Sequence, residues 1–231
     1  MAGGPPFELV FFDCDSTLSA VEGIDALAGR KGVQDMVAPL TRAAMEGRLA
    51  LDEVYGARLE YIRPSRDDVC WLGAQYIERM VPGAQRCIAV LQRLGKEIHV
   101  ISGGIQQAVE VLATALGVPA AHVHAVPVLL DAQGRYCAFD STSPLCRSGG
   151  KREVCRRLVS NRGPAALVGD GITDLEPADL GIYIVGFGGV ARREAVRAQA
   201  DTFVDSPSLL DTLPGLLSPE ERARVVHDTD P

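Results

Sequence analysis

Four short apolar runs in this chain each stop at a turn rich in acids, hydroxyls or glycines. Residues 7–12 end in Asp13-Cys14-Asp15, 97–101 in Ser102-Gly103-Gly104, 165–168 in Gly169-Asp170-Gly171, and 181–185 in Gly186-Phe187-Gly188-Gly189. A short run with little polar alternation suits a strand buried on both faces, the condition of a parallel sheet covered by helices. Helical patterns at 84–94, 105–116 and 151–159 alternate with these runs. The expected fold is therefore α/β, a Rossmann-like parallel sheet core flanked by helices. Ligands of such open sheets bind beyond the carboxyl ends of the strands, where these polar turns fall.

From residue 19 to 80 the character changes. Val21, Ile24, Leu27 and Ala28 recur at helical spacing, as do Leu51, Val54, Tyr55, Leu59 and Ile62, and 71–77 reads the same way. Pro82-Gly83 punctuates the end of this stretch. The expected organisation is an α/β core at 7–18 and 81–217, a small inserted helical cap at 19–80, and flexible termini at 1–6 and 218–231. Residues 126–130 and 135–139, flanking Asp131-Ala132-Gln133-Gly134, read as a hairpin, and the chain from 207 as helix that frays after Ser218.

With 231 residues, 47% hydrophobic and 23% charged, the chain can bury a core without disulfides. Its net charge of −7, with no basic stripe, argues against nucleic acid or an anionic membrane as partner. Six scattered cysteines without a Cys-x-x-Cys, and histidines without ligand spacing, make zinc a poor expectation and suit reduced thiols in a cytoplasmic protein. The first residues carry no basic segment followed by a long apolar one, so no signal peptide is expected. Oligomeric state is left as monomer or homodimer.

Asp13 and Asp15 stand two apart just past a strand, which puts both carboxylates on one side of an extended chain. Carboxylates so close raise one another's pKa unless they share a cation. Magnesium, a hard ion that takes carboxylates, phosphate oxygens and water, answers that need. Asp15-Ser16-Thr17 also suits a helix cap. Asp170 and Asp174 follow another strand in VGDGITD, where an acidic helix start is the plainer alternative. Ser102-Gly103-Gly104 offers a hydroxyl and free N–H groups to an anion, or is a simple turn. Lys151, after Ser148-Gly149-Gly150, can reach an anion or stand in solvent.

Taken in order, DCDST, ISGG, the later lysine and GDGITD resemble the four motifs of the haloacid dehalogenase superfamily. Within it the chain is similar to the phosphoserine phosphatase family from about residue 7 to 210, including VEGIDALA, AMEGRL, FDSTSPLCRSGGK and GFGG. The resemblance implies a magnesium-dependent phosphomonoesterase acting on O-phosphoserine, as in serine biosynthesis, through an aspartyl phosphate. It implies Asp13 as nucleophile, Asp15 as general acid and base, and Ser102 and Lys151 as holders of the phosphoryl group. It further implies metal ligation by Asp13, Asp15 (through its carbonyl), Asp170 and Asp174. Glu22 matches an acid facing the substrate ammonium and Arg58 a residue facing its carboxylate, while Met45, Gly103, Thr173 and Arg193 line the site. Leu51 stands where phenylalanine is common, Glu46 where a small residue is, and Thr173 where many members have asparagine, which bears on the substrate rather than the chemistry. Phosphothreonine, phosphoethanolamine or a sugar phosphate are the alternative substrates. A non-catalytic protein on the same fold is the alternative class, and hydrolytic dehalogenation is disfavoured by Asp15.

Overall fold

The apolar runs form a six-stranded, all-parallel sheet of β1 (Leu9–Phe12), β2 (Glu97–Ile105), β3 (Val123–Val126), then, beyond a hairpin of β4 (Val128–Leu130) and β5 (Tyr136–Phe139), β6 (Ala165–Gly169), β7 (Tyr183–Phe187) and β8 (Thr202–Val204). The computed structural model describes residues 6–45 and 51–227, without the side chains of 42–45, 51, 52, 226 and 227. The strand order is β3-β2-β1-β6-β7-β8. The chain runs outward from β1 on one side, then crosses to the other, so the switch point lies at β1. Phe12 is level with both Val100 and Val168, which brings the carboxyl ends of β1, β2 and β6 together there. Leu9, Val10, Phe11 and Phe12 are all fully buried, as a central strand covered on both faces requires.

Helices α1 (Gly23–Lys31), α2 (Gln34–Met45), α3 (Leu51–Ile62) and α4 (Arg66–Glu78) lie between β1 and β2 in the chain. The passages into and out of this segment run side by side: Ala20 N–H donates to Arg79 O at 2.8 Å and Val81 N–H to Leu18 O at 2.9 Å. The remaining helices are α5 (Ala84–Arg93), α6 (Gln106–Ala115), α7 (Gly150–Leu158), α8 (Glu194–Gln199), α9 (Leu213–Leu216) and α10 (Pro219–His227). Helix α4 packs along α6, tying the helical segment to the sheet layer.

The start of α4 is held by one carboxylate. Ser65 and Asp68 form a reciprocal capping box, and Asp68 also accepts from Arg30 Nε at 2.9 Å and Lys31 Nζ at 3.1 Å, at the end of α1. Burial alone would push the Asp68 pKa up. The hydrogen bonds from Ser65, Arg30 and Lys31 outweigh it and hold the carboxyl well below its usual range. A depressed folded pKa contributes stability above the unfolded value of about 4 and loses it as pH falls further. Asp68→Asn is therefore expected to lower the unfolding free energy by about 2 kcal/mol near neutral pH, with the difference shrinking in acid. Urea unfolding of both proteins at neutral and acid pH measures it.

The structure departs from the sequence expectations in four places. The hairpin strand expected at 126–130 starts only at Val128: Pro127 has no N–H for a ladder, and Val126 instead ends β3, a sheet strand over Val123–Val126 that the sequence reading did not include. Strand β8 is a three-residue edge strand, half-buried throughout, and too short to leave an apolar run. Strand β2 runs through Ser102–Gly104 to Ile105, its pairing with β3 interrupted between Ile101 and Ile105, so these residues belong to an irregular strand end rather than a turn outside the sheet. Where flexible chain is expected after Ser218, α10 forms instead. Ser218 and Glu221 cap it reciprocally, and Glu221 accepts from buried Lys96 Nζ at 2.7 Å.

Three of the histidines, given no role from sequence, meet toward the amino end of β2. His99 bonds His124 at 3.1 Å and Glu97 at 2.7 Å, and His122 stacks on it at 4.3 Å between centroids. Both nitrogens of His99 are thereby partnered, and burial pushes the pKa of His99 and His124 down.

Candidate active site

Strand β1 hands the chain directly into the site. Asp13 N–H donates to Val168 O at 2.9 Å, extending the pairing with β6 by one residue. The chain then turns sharply, with Ser16 at φ 54° and the N–H groups of Leu18 and Ser19 both donating to Cys14 O. Ser16 Oγ donates to Glu22 at 2.7 Å and Thr17 Oγ1 to Asp170 at 3.2 Å. Neither hydroxyl caps a helix. The capping alternative is met in part by Asp15, whose Oδ2 accepts from the N–H of Gly23, the first residue of α1, at 3.0 Å.

Asp13, Asp170 and Asp174 are buried and converge, with one carboxylate oxygen of each within 4.8 Å of the others. Helix α7 delivers Lys151 into this group, its Nζ 2.8 Å from Asp13 Oδ1 and 2.6 Å from Asp174 Oδ1. Asp174 also accepts from Gly171 N–H at 2.9 Å. It packs so tightly under the turn that a Cβ at Gly169 would stand 2.1 Å from its Cγ. Burial works against the charge of Lys151, yet the two carboxylates hold its ammonium above the usual lysine range. Burial first, then Asp13, pushes Asp174 up to about 7 against the pull of Lys151.

Three buried carboxylates, two facing Lys151 and the third Arg193, leave an excess of negative charge, and all offer hard oxygen donors. That set fits a magnesium ion, which carboxylates hold while water and phosphate complete its shell. The Asp15 carboxylate is outside this group. Tyr76 Oη donates to its Oδ1 at 2.6 Å and Gly23 N–H to its Oδ2. Burial first, then Glu22, pushes Asp15 up to about 7, opposed by these two donors. A carboxyl titrating there is matched to giving and taking protons near neutral pH.

Asp13, Asp15, Lys151 and Asp170 line a cavity of about 720 Å³, the size of a small-molecule site. Ser102, Gly103, Thr173 and Arg193 border it on the sheet side, and Glu22 and Arg58 also face it. Ser102 Oγ accepts from Gly104 N–H at 2.9 Å, so that N–H is not free for an anion as the sequence suggested. Arg193 joins the two sides, pairing with Glu22 Oε1 at 3.3 Å and with the Asp170 carboxylate. Arg58 Nη1 donates to Thr41 at 3.4 Å, while among the described residues its buried Nε has no partner and neither does the neighbouring Tyr55 hydroxyl. The side chains of Met45 and Leu51, and Glu46 altogether, lie outside the described residues. Sequence reasoning missed Tyr76, Tyr55 and Thr41, because residues of this kind in helical patterns read as ordinary packing.

Residues 10–179 match the haloacid dehalogenase-like hydrolase family. The chain is 36% identical over 209 residues to phosphoserine phosphatase of Bos taurus, covering 89% of this chain and 93% of that one. It is also 36% identical over 199 residues to phosphoserine phosphatase of Homo sapiens, covering 85% and 88%. Among solved structures it resembles a phospho-aspartyl intermediate analogue of phosphoserine phosphatase, with TM-score 0.74 and 23% identity over 90% of this chain and 98% of that one. That likeness bears on the fold. A family match over this much of the sequence, falling on the strands that end in Asp13 and Asp170, makes the chain a member of the haloacid dehalogenase-like hydrolases.

Proposed function

We propose that the protein hydrolyses O-phosphoserine to serine and inorganic phosphate through an aspartyl phosphate on Asp13. The observation that carries this reading is the Asp13 carboxylate held by buried Lys151, with a second, protonatable acid two residues on, in a cavity that also presents the arginine Arg58. The similarity to phosphoserine phosphatases along most of the chain supports the choice of substrate.

In the first step an Asp13 oxygen bonds to phosphorus as the bond from phosphorus to the serine oxygen breaks, and Asp15 gives its proton to that oxygen. In the second, Asp15 takes a proton from the water that attacks the acyl phosphate, which frees phosphate and regenerates Asp13. Lys151 and Ser102 hold the phosphoryl oxygens. Asp13, Asp170 and Asp174 would hold magnesium, which would supply positive charge against the phosphoryl oxygens. Glu22, which Arg193 and Ser16 also contact, meets the substrate ammonium, and Arg58 meets the carboxylate with its Nε, which has no partner among the described residues. Thr173, Gly103, Met45 and Arg193 complete the lining. Residues 19–80 act as a cap over the core formed by 7–18 and 81–217. The paired passages at Leu18–Ala20 and Arg79–Val81 serve as its hinge, and closure excludes water. Among the described residues no helix is long and apolar enough to cross a membrane, and scattered cysteines without a Cys-x-x-Cys suit a cytoplasmic setting.

Phosphate release from a panel of phosphomonoesters, with magnesium and with a chelator, tests the proposal. O-phosphoserine is expected to be preferred over phosphothreonine, phosphoethanolamine and sugar phosphates, and the chelator to stop turnover. Arg58→Ala should raise KM for O-phosphoserine by about 10- to 100-fold and leave p-nitrophenyl phosphate, which has no carboxylate, nearly unaffected. Equal rates across the panel, or no effect of Arg58→Ala, would overturn the choice of substrate.

A further inference from the structure

We infer that Tyr76 is a positioning residue for the acid–base carboxylate of Asp15, an inference that rests on the role proposed for Asp15 above. Tyr76 lies in α4, sixty-one residues further along the chain, and is fully buried. Its hydroxyl reaches the site and donates to Asp15 Oδ1 at 2.6 Å, a short, charge-assisted contact. From the other side the Gly23 N–H donates to Oδ2 at 3.0 Å. One donor on each oxygen fixes the plane of the carboxyl group, which lines the cavity. A carboxyl free to rotate would spend only part of its time aligned with the leaving oxygen, and misplacement of a proton donor by an ångström lowers the rate steeply.

The pocket for the hydroxyl is shaped for it. A Cβ on Gly23 would stand 2.2 Å from Tyr76 Oη, so residue 23 must be glycine for the phenol and the backbone donor to converge on the same carboxylate. Helix α4 packs along α6 and is fixed at its start by the Ser65–Asp68 box, so the ring is presented from a rigid element. This arrangement also makes the Asp15 geometry depend on the seating of the helical segment that carries Tyr76.

The reaction offers a readout that packing alone would not move. Serine departs as an alkoxide and needs a proton from Asp15, whereas p-nitrophenolate leaves without one. Tyr76→Phe keeps the ring and removes the hydroxyl. Its kcat/KM for O-phosphoserine is expected to fall about 10- to 100-fold, part of what a general acid supplies, while that for p-nitrophenyl phosphate changes less than about 3-fold. Equal losses on both substrates, or no loss on either, would overturn the inference. Asp15→Asn measured alongside separates the two layers. Selective loss there without selective loss in Tyr76→Phe rejects only the role of Tyr76. No selective loss in Asp15→Asn rejects the acid role itself. If Tyr76→Phe does not fold, Gly23→Ala, which keeps the N–H and crowds the phenol, is expected to give the same selective loss, and a uniform loss there counts against the inference.

Discussion

Asp13→Asn is expected to lower kcat on O-phosphoserine by at least about 10⁴-fold, within the range seen when a nucleophile is removed, while leaving the protein folded. The amide is the same size but cannot form an acyl phosphate. The fold should survive because Asp174 still partners Lys151, 2.6 Å away. Burial and Asp13 together push Asp174 up to about 7, so removing the Asp13 charge relieves repulsion in the buried group. The thermal midpoint is therefore expected to hold or rise, the usual relation between a strained active site and stability. Steady-state kinetics and thermal unfolding on one preparation check both statements. A midpoint that collapses along with activity would mean that Asp13 is needed for folding.

Lys151→Ala should be damaging in both respects. Among the described residues the ammonium is the one cation bonded to both Asp13 and Asp174, and it is buried with them. Losing a preorganised positive charge at the phosphoryl group is expected to lower kcat/KM by about 10²- to 10³-fold. Leaving two buried carboxylates without their partner is expected to lower the unfolding free energy by about 3–5 kcal/mol near neutral pH. The pH dependence has a definite sign. Without Lys151 the folded pKa of Asp174 rises further above its unfolded value of about 4. An acid with a raised folded pKa costs stability as pH climbs from the unfolded value through the folded one. The deficit of the variant should thus be smallest in mild acid and grow toward neutral and alkaline pH. Urea unfolding of both proteins across that interval decides it, and a deficit independent of pH would show that packing, not charge, is what Lys151 contributes.

The part of the site legible in the sequence is the part built by local geometry. Asp13 and Asp170 each follow a strand end and Ser102 lies in the last residues of β2, and a parallel sheet with its switch point at β1 brings these ends together whatever the loops do. Lys151 was visible only as a lysine after two glycines, and its burial between Asp13 and Asp174 comes from the docking of α7. The contacts that escaped are those set by packing between distant segments. Tyr76 reaches Asp15 because α4 lies along α6, and Arg193 meets Glu22 across 171 residues. Nothing in the pattern around either residue announces its partner. Helix α10 is the opposite case, since Ser218-Pro219-Glu220-Glu221 is a complete start signal. Its anchor, Lys96, lies 125 residues earlier in the chain, outside any local pattern.

The account stands on a covalent bond between Asp13 and phosphorus. Quenching the protein in acid during turnover of O-phosphoserine labelled in its phosphate, then digesting it and locating the label, tests that bond directly. The predicted result is one acid-stable, hydroxylamine-sensitive phosphate on the peptide containing Asp13, absent from Asp13→Asn. Steady turnover with no label at Asp13, or turnover that persists in Asp13→Asn, would contradict it.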